Sequence, residues 1–226
     1  MPDTWSIEQE LCKSAGKNNL IASLVKLGLL ANNDTFHSII VDKDWHRSGA
    51  ETYLLKFTVR GASQSTVAIL KAYTPTSPAA ALLEQFDVIT SRRKLLAAVG
   101  VPTPHLYHAG NGIWIEDWIE DTIDDAIKEI RHDDAKVVEV SRKLYDIAYA
   151  LDQLGFSPMR VYSDLRSRNG APIMIDFGSD LGAPNRMIAA THNRFQLLEW
   201  ARRCCPEISA SVESIVNRSS SLPGSA

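Results

Sequence analysis

The sequence predicts an α+β fold in which a strand-rich N-terminal part precedes a smaller helical part. Three runs of β-branched and aromatic residues occupy the first part, and apolar residues at helical spacing dominate the rest of the chain. With 226 residues, 45% of them hydrophobic and 23% charged, the chain has the size and composition of a globular domain of two lobes with a buried core.

A helical extension is expected first, over residues 1–35, because apolar residues recur at partial helical spacing between positions 5 and 31. Strands are predicted next at Ser38–Asp42, Thr52–Val59 and Thr66–Tyr73, since these runs are rich in residues that favour the pleated conformation. The segments between them, HRSGA and RGASQS, have the composition of turns. These strands begin an N-terminal lobe.

A long helix is predicted from Pro78 to about Val99, where apolar residues again recur at helical spacing. The GVPTP run at 100–104 ends this helix. It leads into two short strands, His105–His108 and Gly112–Trp118, which an Asn-Gly turn joins. With these strands the N-terminal lobe covers residues 36–119.

Residues 120–217 are predicted to form a reduced helical lobe. Its main element is an amphipathic helix from about Ala135 to Leu154, which Gly155 ends. A short buried strand, Pro172–Ile175, follows after a loop. Two further helices and a disordered tail rich in Ser, Pro and Gly are expected at about 186–204, 206–217 and 218–226, respectively.

The composition argues against nucleic acid and membrane partners. The net charge is −3, so no overall basic field attracts a polyanion, and no apolar run reaches the length of about 18 residues that a membrane span needs. The N-terminal segment lacks the pattern of a secretory signal peptide, and three cysteines without metal-ligand spacing fit a reducing compartment. We expect the protein in a cytoplasm, its own or, as a delivered effector, that of a host cell. No sequence feature indicates an oligomeric state.

The first candidate functional residue is Lys71, which directly follows the apolar strand residues VAIL. A cation at a strand end can contact the α- and β-phosphates of a nucleotide, although a surface lysine is the ordinary alternative. Ser48, Gly49 and Ala50 form a turn of small residues between the two preceding strands. Backbone N–H groups in such a turn can approach phosphates.

The second candidate is Asp176, which follows the apolar strand IMI and begins an Asp-Phe-Gly sequence. A carboxylate at the mouth of a buried strand can chelate Mg²⁺. The alternative is an aspartate that caps the next turn.

Asp164 and Asn169 are the third candidates, because they have the five-residue spacing of a kinase catalytic loop. In such a loop the aspartate orients the attacking hydroxyl and the asparagine holds a metal ion. Lys71, the Asp164/Asn169 pair and Asp176 follow one another in the order that phosphoryl transfer from ATP requires, with Mg²⁺ as cofactor.

A competing interpretation concerns the short interval between Asn169 and Asp176, where kinases usually carry a small hairpin. Asn169-Gly170 can itself be a hairpin turn that joins Arg160–Ser163 to Pro172–Ile175. Asp164 is then a turn residue, and the domain is a pseudokinase.

Two further segments make the sequence resemble a family. GVPTPHLY at 100–107 follows a helix, and an apolar strand then runs into IEDWI at 115–119. Together with SDLRSRN and the Asp-Phe-Gly sequence, these segments resemble the small atypical protein kinases of the RIO-like and KEOPS-complex type and, more distantly, the aminoglycoside phosphotransferases. The resemblance covers about residues 45–182. It implies a minimal bilobal protein-kinase-like fold with an antiparallel sheet in the N-terminal lobe and a shortened helical C-terminal lobe.

The resemblance also implies roles for individual residues. Lys71 would contact the α- and β-phosphates of ATP, Asp164 would be the catalytic aspartate, and Asn169 and Asp176 would hold Mg²⁺. The adenine base would bind to the backbone of a hinge segment, which comprises Glu116, Asp117, Trp118 and Ile119.

The chain departs from the family pattern at two places besides the short interval. Tyr162 stands where a histidine is expected, and the helix glutamate that pairs with the lysine is missing from its usual place, where Ile89 or Thr90 falls. Glu84 is the best substitute for that glutamate, and Asp87 is the next.

The function expected from these features is an ATP-dependent Ser/Thr protein kinase, since the short helical lobe leaves little room for a small-molecule site and favours a protein substrate on an open cleft. Two alternatives remain at this point. One is a small-molecule phosphotransferase of the antibiotic-modifying type, and the other is a nucleotide-binding pseudokinase that acts as a scaffold.

Overall fold

The computed structural model describes residues 7–16, 19–48, 53–72, 79–110, 112–158, 162, 165–175, 177, 181, 184–185, 187 and 190–220, with the backbone alone at 43–48, 53, 79–85 and 220. These residues form an α+β fold, which confirms the predicted fold class. The chain divides into two compact units, Met1–Val88 with Pro104–Trp118 and Ile89–Thr103 with Ile119–Ala226.

The described residues contain seven helices and seven strands. The helices are α1 (Ile7–Ala15), α2 (Leu20–Leu27), α3 (Ala79–Ala98), α4 (Ile123–Ile130), α5 (Asp134–Leu154), α6 (His192–Cys204) and α7 (Pro206–Ser220). The strands are β1 (Phe36–Ser48), β2 (Tyr53–Gly61), β3 (Ser65–Ala72), β4 (Leu106–Gly110), β5 (Ile113–Asp117), β6 (Arg166–Arg168) and β7 (Ala171–Ile173).

The first unit is built on one antiparallel sheet of five strands in the order β1-β2-β3-β5-β4. Alternate residues of a strand point to opposite faces, so the sheet has two distinct sides. We call one side the apolar face; it carries Leu55, Phe57, Val59, Ala68, Leu70 and Ile115, all buried. Ile7 and Leu11 of α1 and Leu24 of α2 belong to the same hydrophobic core. The apolar face therefore supplies most of the hydrophobic stabilisation of this unit.

The N-terminal segment is helical, as predicted, but it forms two helices where one continuous helix was expected. Gly16 follows α1 with φ +70, a left-handed conformation that ends a helix readily. Asn19 then caps α2, since its side chain accepts a hydrogen bond from the backbone N–H of Ala22 at 3.2 Å. Gly28, with φ +78, ends α2.

The first strand is longer than predicted. The expected end was Asp42, but β1 continues to Ser48, where its backbone pairs with Tyr53 of β2. The register is irregular between Val41 and His46 and then resumes. Pairing with β2 therefore extends β1 through a charged, turn-like sequence that shows no strand pattern by itself.

The second unit packs α5 against both α6 and α7. Gly155 ends α5 with φ +73, as predicted, and α6 begins at His192, several residues later than expected. Helix α7 continues to Ser220, so the first residues of the predicted disordered tail are helical, and residues 221–226 lie outside the described part. None of the helices described has both the length and the apolar composition that crossing a bilayer requires.

Hydrogen bonds of the Asp34 side chain connect the loop after α2 to the turn between β2 and β3. Its carboxylate accepts hydrogen bonds from the backbone N–H groups of Thr35 at 2.9 Å, Ser63 at 2.9 Å and Gln64 at 3.3 Å. Desolvation acts to raise the pKa of Asp34, but the hydrogen bonds together outweigh it, so that the pKa lies below its ordinary value. Gly61 lies directly beneath, and a Cβ placed there would come within 1.9 Å of the Asp34 Oδ2 atom.

We predict that Gly61→Ala lowers the free energy of unfolding by about 1–3 kcal/mol, as overpacking at a constrained site does. The added methyl group must displace a carboxylate that three N–H groups hold. Chemical denaturation of Gly61→Ala, Asp34→Ala and the double variant measures the effect. The double variant should lose less than the sum of the two single variants, and strict additivity would contradict the proposed clash.

Candidate functional site

An ion pair lies on the side of the sheet opposite the apolar face. The Lys71 Nζ atom lies 2.6 Å from the Glu116 Oε1 atom, and the side chains are 18% and 1% exposed. In the register of β3 and β5, Lys71 stands opposite Trp114 and Ile69 stands opposite Glu116. The two charged residues are therefore diagonal neighbours on one face, within reach of long side chains.

We call this side the charged face and define it by Lys56, Ile69, Lys71, Trp114 and Glu116. Trp114 and Ile69 are buried beside the ion pair, so they reduce the access of water to it. An ion pair in such surroundings is held more firmly than one at the surface, because the local dielectric constant is lower.

Neighbouring aromatic rings complete the charged face. Phe86 of α3 contacts the ring of Trp114 with a centroid distance of 5.6 Å. Toward the end of β5, the Lys56 Nζ atom lies 4.8 Å from the centroid of the Trp118 ring and 3.8 Å from the Asp42 Oδ2 atom. Each lysine of this face thus has a carboxylate partner on a neighbouring strand.

Sequence reasoning sought a carboxylate partner for Lys71 on the long helix, and among the described residues the structure shows one on β5, Glu116. Glu116 was expected to contribute only its backbone, as part of the hinge. The side chain of Glu84 lies outside the described residues, and Asp87 is exposed on α3. Strand alternation could have found the pair, since a β5 residue two positions from the one opposite Lys71 shares its face, but this requires the order of strands in the sheet.

The predicted hinge segment has part of its backbone engaged in the sheet. The N–H of Trp118 donates to the carbonyl oxygen of Val67 at 3.1 Å, and the N–H of Asp117 donates to that of His105 at 2.9 Å. These two donors are therefore occupied by protein acceptors. The chain passes from the first unit to the second between Trp118 and Ile119, within the segment that the sequence predicted as the hinge.

The predicted phosphate-binding turn is described only at its first residue. The backbone of Ser48 pairs with Tyr53 at the end of the β1–β2 hairpin. Gly49 and Ala50 lie outside the described residues. The turn thus falls between two adjacent antiparallel strands, and its role toward phosphate stays a prediction.

In the second unit, Asn169 and Gly170 form the turn of the β6–β7 hairpin. Both have positive φ, +53 and +77, and Arg168 pairs with Ala171 across them. This is the geometry of a type I′ two-residue turn, for which Asn-Gly is the preferred sequence. The hairpin of the competing interpretation is present, but its first strand is Arg166–Arg168 and not Arg160–Ser163.

The hairpin separates Asn169 from the sequence that leads to Asp176. Asn169 is exposed at the turn, whereas Leu165 and Ile175 lie beyond the opposite end of the two strands. The three residues of β7 alone correspond to about 10 Å. The structure therefore places Asn169 at the end of the hairpin away from Leu165 and Ile175, and Asp164 and Asp176 lie outside the described residues.

Tyr162, in the place of the expected histidine, is anchored to α6. Its hydroxyl donates to the carbonyl oxygen of Asn193 at 2.6 Å, and burial followed by the charge of Asp152 raises its pKa well above the ordinary value. Asn193 in turn donates to the Asp152 carboxylate through its backbone N–H at 2.7 Å and its side-chain amide at 2.9 Å. Arg194 neutralises that carboxylate at 2.9 Å. This network holds the chain two residues before Asp164.

The part of the chain that the structure describes contains no group of three His, Cys, Asp or Glu side chains arranged to hold a metal ion. Comparison with protein families found no family model that matches the chain, and comparison with curated proteins found no significant match.

We predict that Lys71→Met lowers the free energy of unfolding by about 2–4 kcal/mol, because it leaves the carboxylate of Glu116 buried without its cation. The double variant Lys71→Met/Glu116→Met should recover most of the loss, since two apolar side chains of similar volume replace the pair. Chemical denaturation measures both variants.

The matched control is Lys128→Met, which breaks the exposed pair with Asp125 at 3.3 Å and should leave Tm unchanged. A double variant that is less stable than Lys71→Met would show that Glu116 is not stabilised mainly by Lys71.

Proposed function

We propose that this protein is an ATP- and Mg²⁺-dependent phosphotransferase that transfers the γ-phosphate to a Ser or Thr hydroxyl of a protein. The single observation that supports this most is the Lys71–Glu116 pair, in which a strand lysine is held in place by a buried carboxylate. A cation fixed in this way is what positioning of nucleotide phosphates requires, because phosphoryl transfer depends mainly on orientation and charge stabilisation.

Lys71 is suited to contact phosphate while it remains paired with Glu116. An ammonium group has three N–H donors, so one group can bind a carboxylate and a phosphate oxygen together. The remaining 18% exposure of the Lys71 side chain leaves part of it accessible. Glu116 would thus take the role for which the sequence offered Glu84, that of the carboxylate that orients the lysine.

Asp164 and Asp176 supply the acidic groups in this proposal. Leu165 and Ile175, their neighbours in sequence, lie at the same end of the β6–β7 hairpin, and consecutive Cα atoms are only about 3.8 Å apart. The hairpin therefore supports the idea that the two aspartates act together. Asp176 would hold Mg²⁺, which would neutralise charge on the ATP phosphates, and Asp164 would accept the proton of the attacking hydroxyl.

Fewer backbone groups of the hinge segment can bind adenine than the sequence suggested. The N–H groups of Asp117 and Trp118 already have acceptors in the sheet, so the adenine base would use the other backbone groups between Glu116 and Ile119. The side chains of Trp118 and Lys56 stack at this end of the charged face and would limit the space beside the base.

We predict that the purified chain transfers label from γ-labelled ATP to itself or to a lysate protein, and that Asp164→Asn and Asp176→Asn each reduce the rate by at least about 100-fold. The control is Asp146→Asn, an exposed aspartate of α5, which should keep wild-type activity. Undiminished labelling in both active-site variants would contradict the residue assignments. Labelling of aminoglycosides or other small hydroxyl compounds in preference to protein would favour the antibiotic-type alternative.

A nucleotide-binding scaffold without transferase activity is the second candidate, and the position of Asn169 favours it. A catalytic-loop asparagine should share metal with the Asp-Phe-Gly aspartate, but Asn169 lies at the far end of the hairpin. A melting temperature that rises with ATP in a protein that labels no acceptor would support this candidate.

The variant Asn169→Gly separates the two roles of Asn169. Glycine keeps the positive φ that the turn needs and removes the amide side chain. We predict that Asn169→Gly keeps both the wild-type Tm and the rate of phosphate transfer, because the turn is the function of this residue. A loss of transfer at unchanged Tm would restore Asn169 as a metal ligand. Asn169→Val, which is strained at φ +53, is the control and should lower Tm.

A further inference from the structure

The segment around Asp176 is held on both sides by the second half of α3 and the loop that follows it. On one side, the N–H of Met174 donates to the carbonyl oxygen of Pro102 at 2.9 Å. On the other side, Phe177 meets two consecutive arginines of α3. The Arg92 Nη1 atom donates to the Phe177 carbonyl oxygen at 3.4 Å, and the Arg93 Cζ atom lies 5.5 Å from the centroid of the Phe177 ring.

The contact between Arg93 and Phe177 is enclosed. Arg93 is 6% exposed and Phe177 is 1% exposed, so a guanidinium group and an aromatic ring are both removed from water. Burying a charge is costly, and a cation over a ring face recovers more of that cost in a desolvated site than at the surface. Lys94, the next residue of the same helix, is by contrast exposed.

The end of α3, shortly after the two arginines, is held in place by a backbone hydrogen bond and by buried side chains. The N–H of Val101 donates to the carbonyl oxygen of Leu96 at 3.0 Å, which closes the end of α3, and both side chains are buried. Arg92, Arg93 and Pro102 therefore belong to one continuous piece of chain whose bend after α3 is held by this hydrogen bond and these buried side chains. This piece contacts Met174 and Phe177, the residues two before and one after Asp176.

We propose that Arg92 and Arg93 are positioning residues that hold the chain on both sides of Asp176, so that this carboxylate can bind Mg²⁺ together with ATP. The inference rests on the proposed function. It differs from a purely structural role because it requires Mg²⁺ affinity, rather than ATP affinity alone, to depend on the two arginines. Groups that orient a metal ligand typically change metal affinity by about 10–100-fold when they are removed.

The test measures ATP binding by isothermal titration calorimetry on the full chain, in EDTA and in excess Mg²⁺. The wild-type chain should bind ATP more tightly with Mg²⁺, and Asp176→Asn should lose that gain. Arg93→Met should reduce the gain by about tenfold or more and leave the affinity in EDTA unchanged. Lys94→Met, a change of the same kind at the adjacent exposed position, is the matched control and should behave as wild type.

Two further variants keep the test decisive where Arg93→Met fails to fold. Phe177→Leu removes the ring and keeps an apolar side chain, and Arg92→Met removes the donor to the Phe177 carbonyl oxygen. Each should reduce the Mg²⁺-dependent gain. Arg93→Met combined with Phe177→Leu should lose less than the sum of the two single effects, because both variants break the same contact.

The outcomes distinguish this inference from the proposed function. If Asp176→Asn loses the Mg²⁺-dependent gain while the Arg92, Arg93 and Phe177 variants keep it, the positioning role is wrong and the proposed function stands. If the wild-type chain binds no ATP, or if Asp176→Asn keeps the gain, both are overturned. If the arginine variants lose as much affinity for ATP in EDTA as in Mg²⁺, the arginines have only a structural role.

Discussion

An ionised carboxylate that is almost completely removed from water is costly unless a cation or hydrogen-bond donors accompany it, and in the first unit Glu116 has Lys71 at 2.6 Å. This requirement, together with the hydrophobic core, constrains the register of β3 against β5. A slip of one residue would turn Lys71 toward the apolar face, where Leu24 and Phe57 are fully buried, and would bring Leu70 to the charged face. The same register therefore pairs the two charges and buries the core residues, and it leaves the ammonium group of Lys71 on the face of the sheet opposite α1 and α2.

In the second unit the corresponding constraint is a turn of the backbone. Asn169 and Gly170 both adopt positive φ, a conformation that few residues other than Gly and Asn tolerate, and the hairpin brings Leu165 and Ile175 to one end. At Asn169, the residue that the kinase-like spacing picked out, the turn conformation by itself accounts for the choice of asparagine. The anchoring of Tyr162 on Asn193 and of Phe177 on Arg93 holds the chain on either side of Asp164 and Asp176.

Local patterns predicted the types of the main elements well. Runs of β-branched and aromatic residues located β2 and β3, helical spacing located α3 and α5, and Gly155 marked the end of α5 in the conformation expected for it. The errors have non-local causes. The charged end of β1 is a strand because β2 pairs with it, and the N-terminal helix is divided at Gly16 and restarted by the cap at Asn19. Of the candidate site, sequence reasoning found Lys71 but did not find its ion pair with the side chain of Glu116.

Local sequence patterns were sufficient to predict the α+β class, the Asn-Gly turn as one of two interpretations, and Lys71 as a strand-end cation. Each of these depends on residues that are only a few positions apart. The partners of the important side chains lie far along the chain: Glu116 is 45 positions from Lys71, and Phe177 is 84 from Arg93. Such contacts arise from the order and register of strands and from the packing of helices, which no local pattern encodes. The folded chain alone therefore made Glu116 the residue that orients Lys71 and placed Asn169 at a turn.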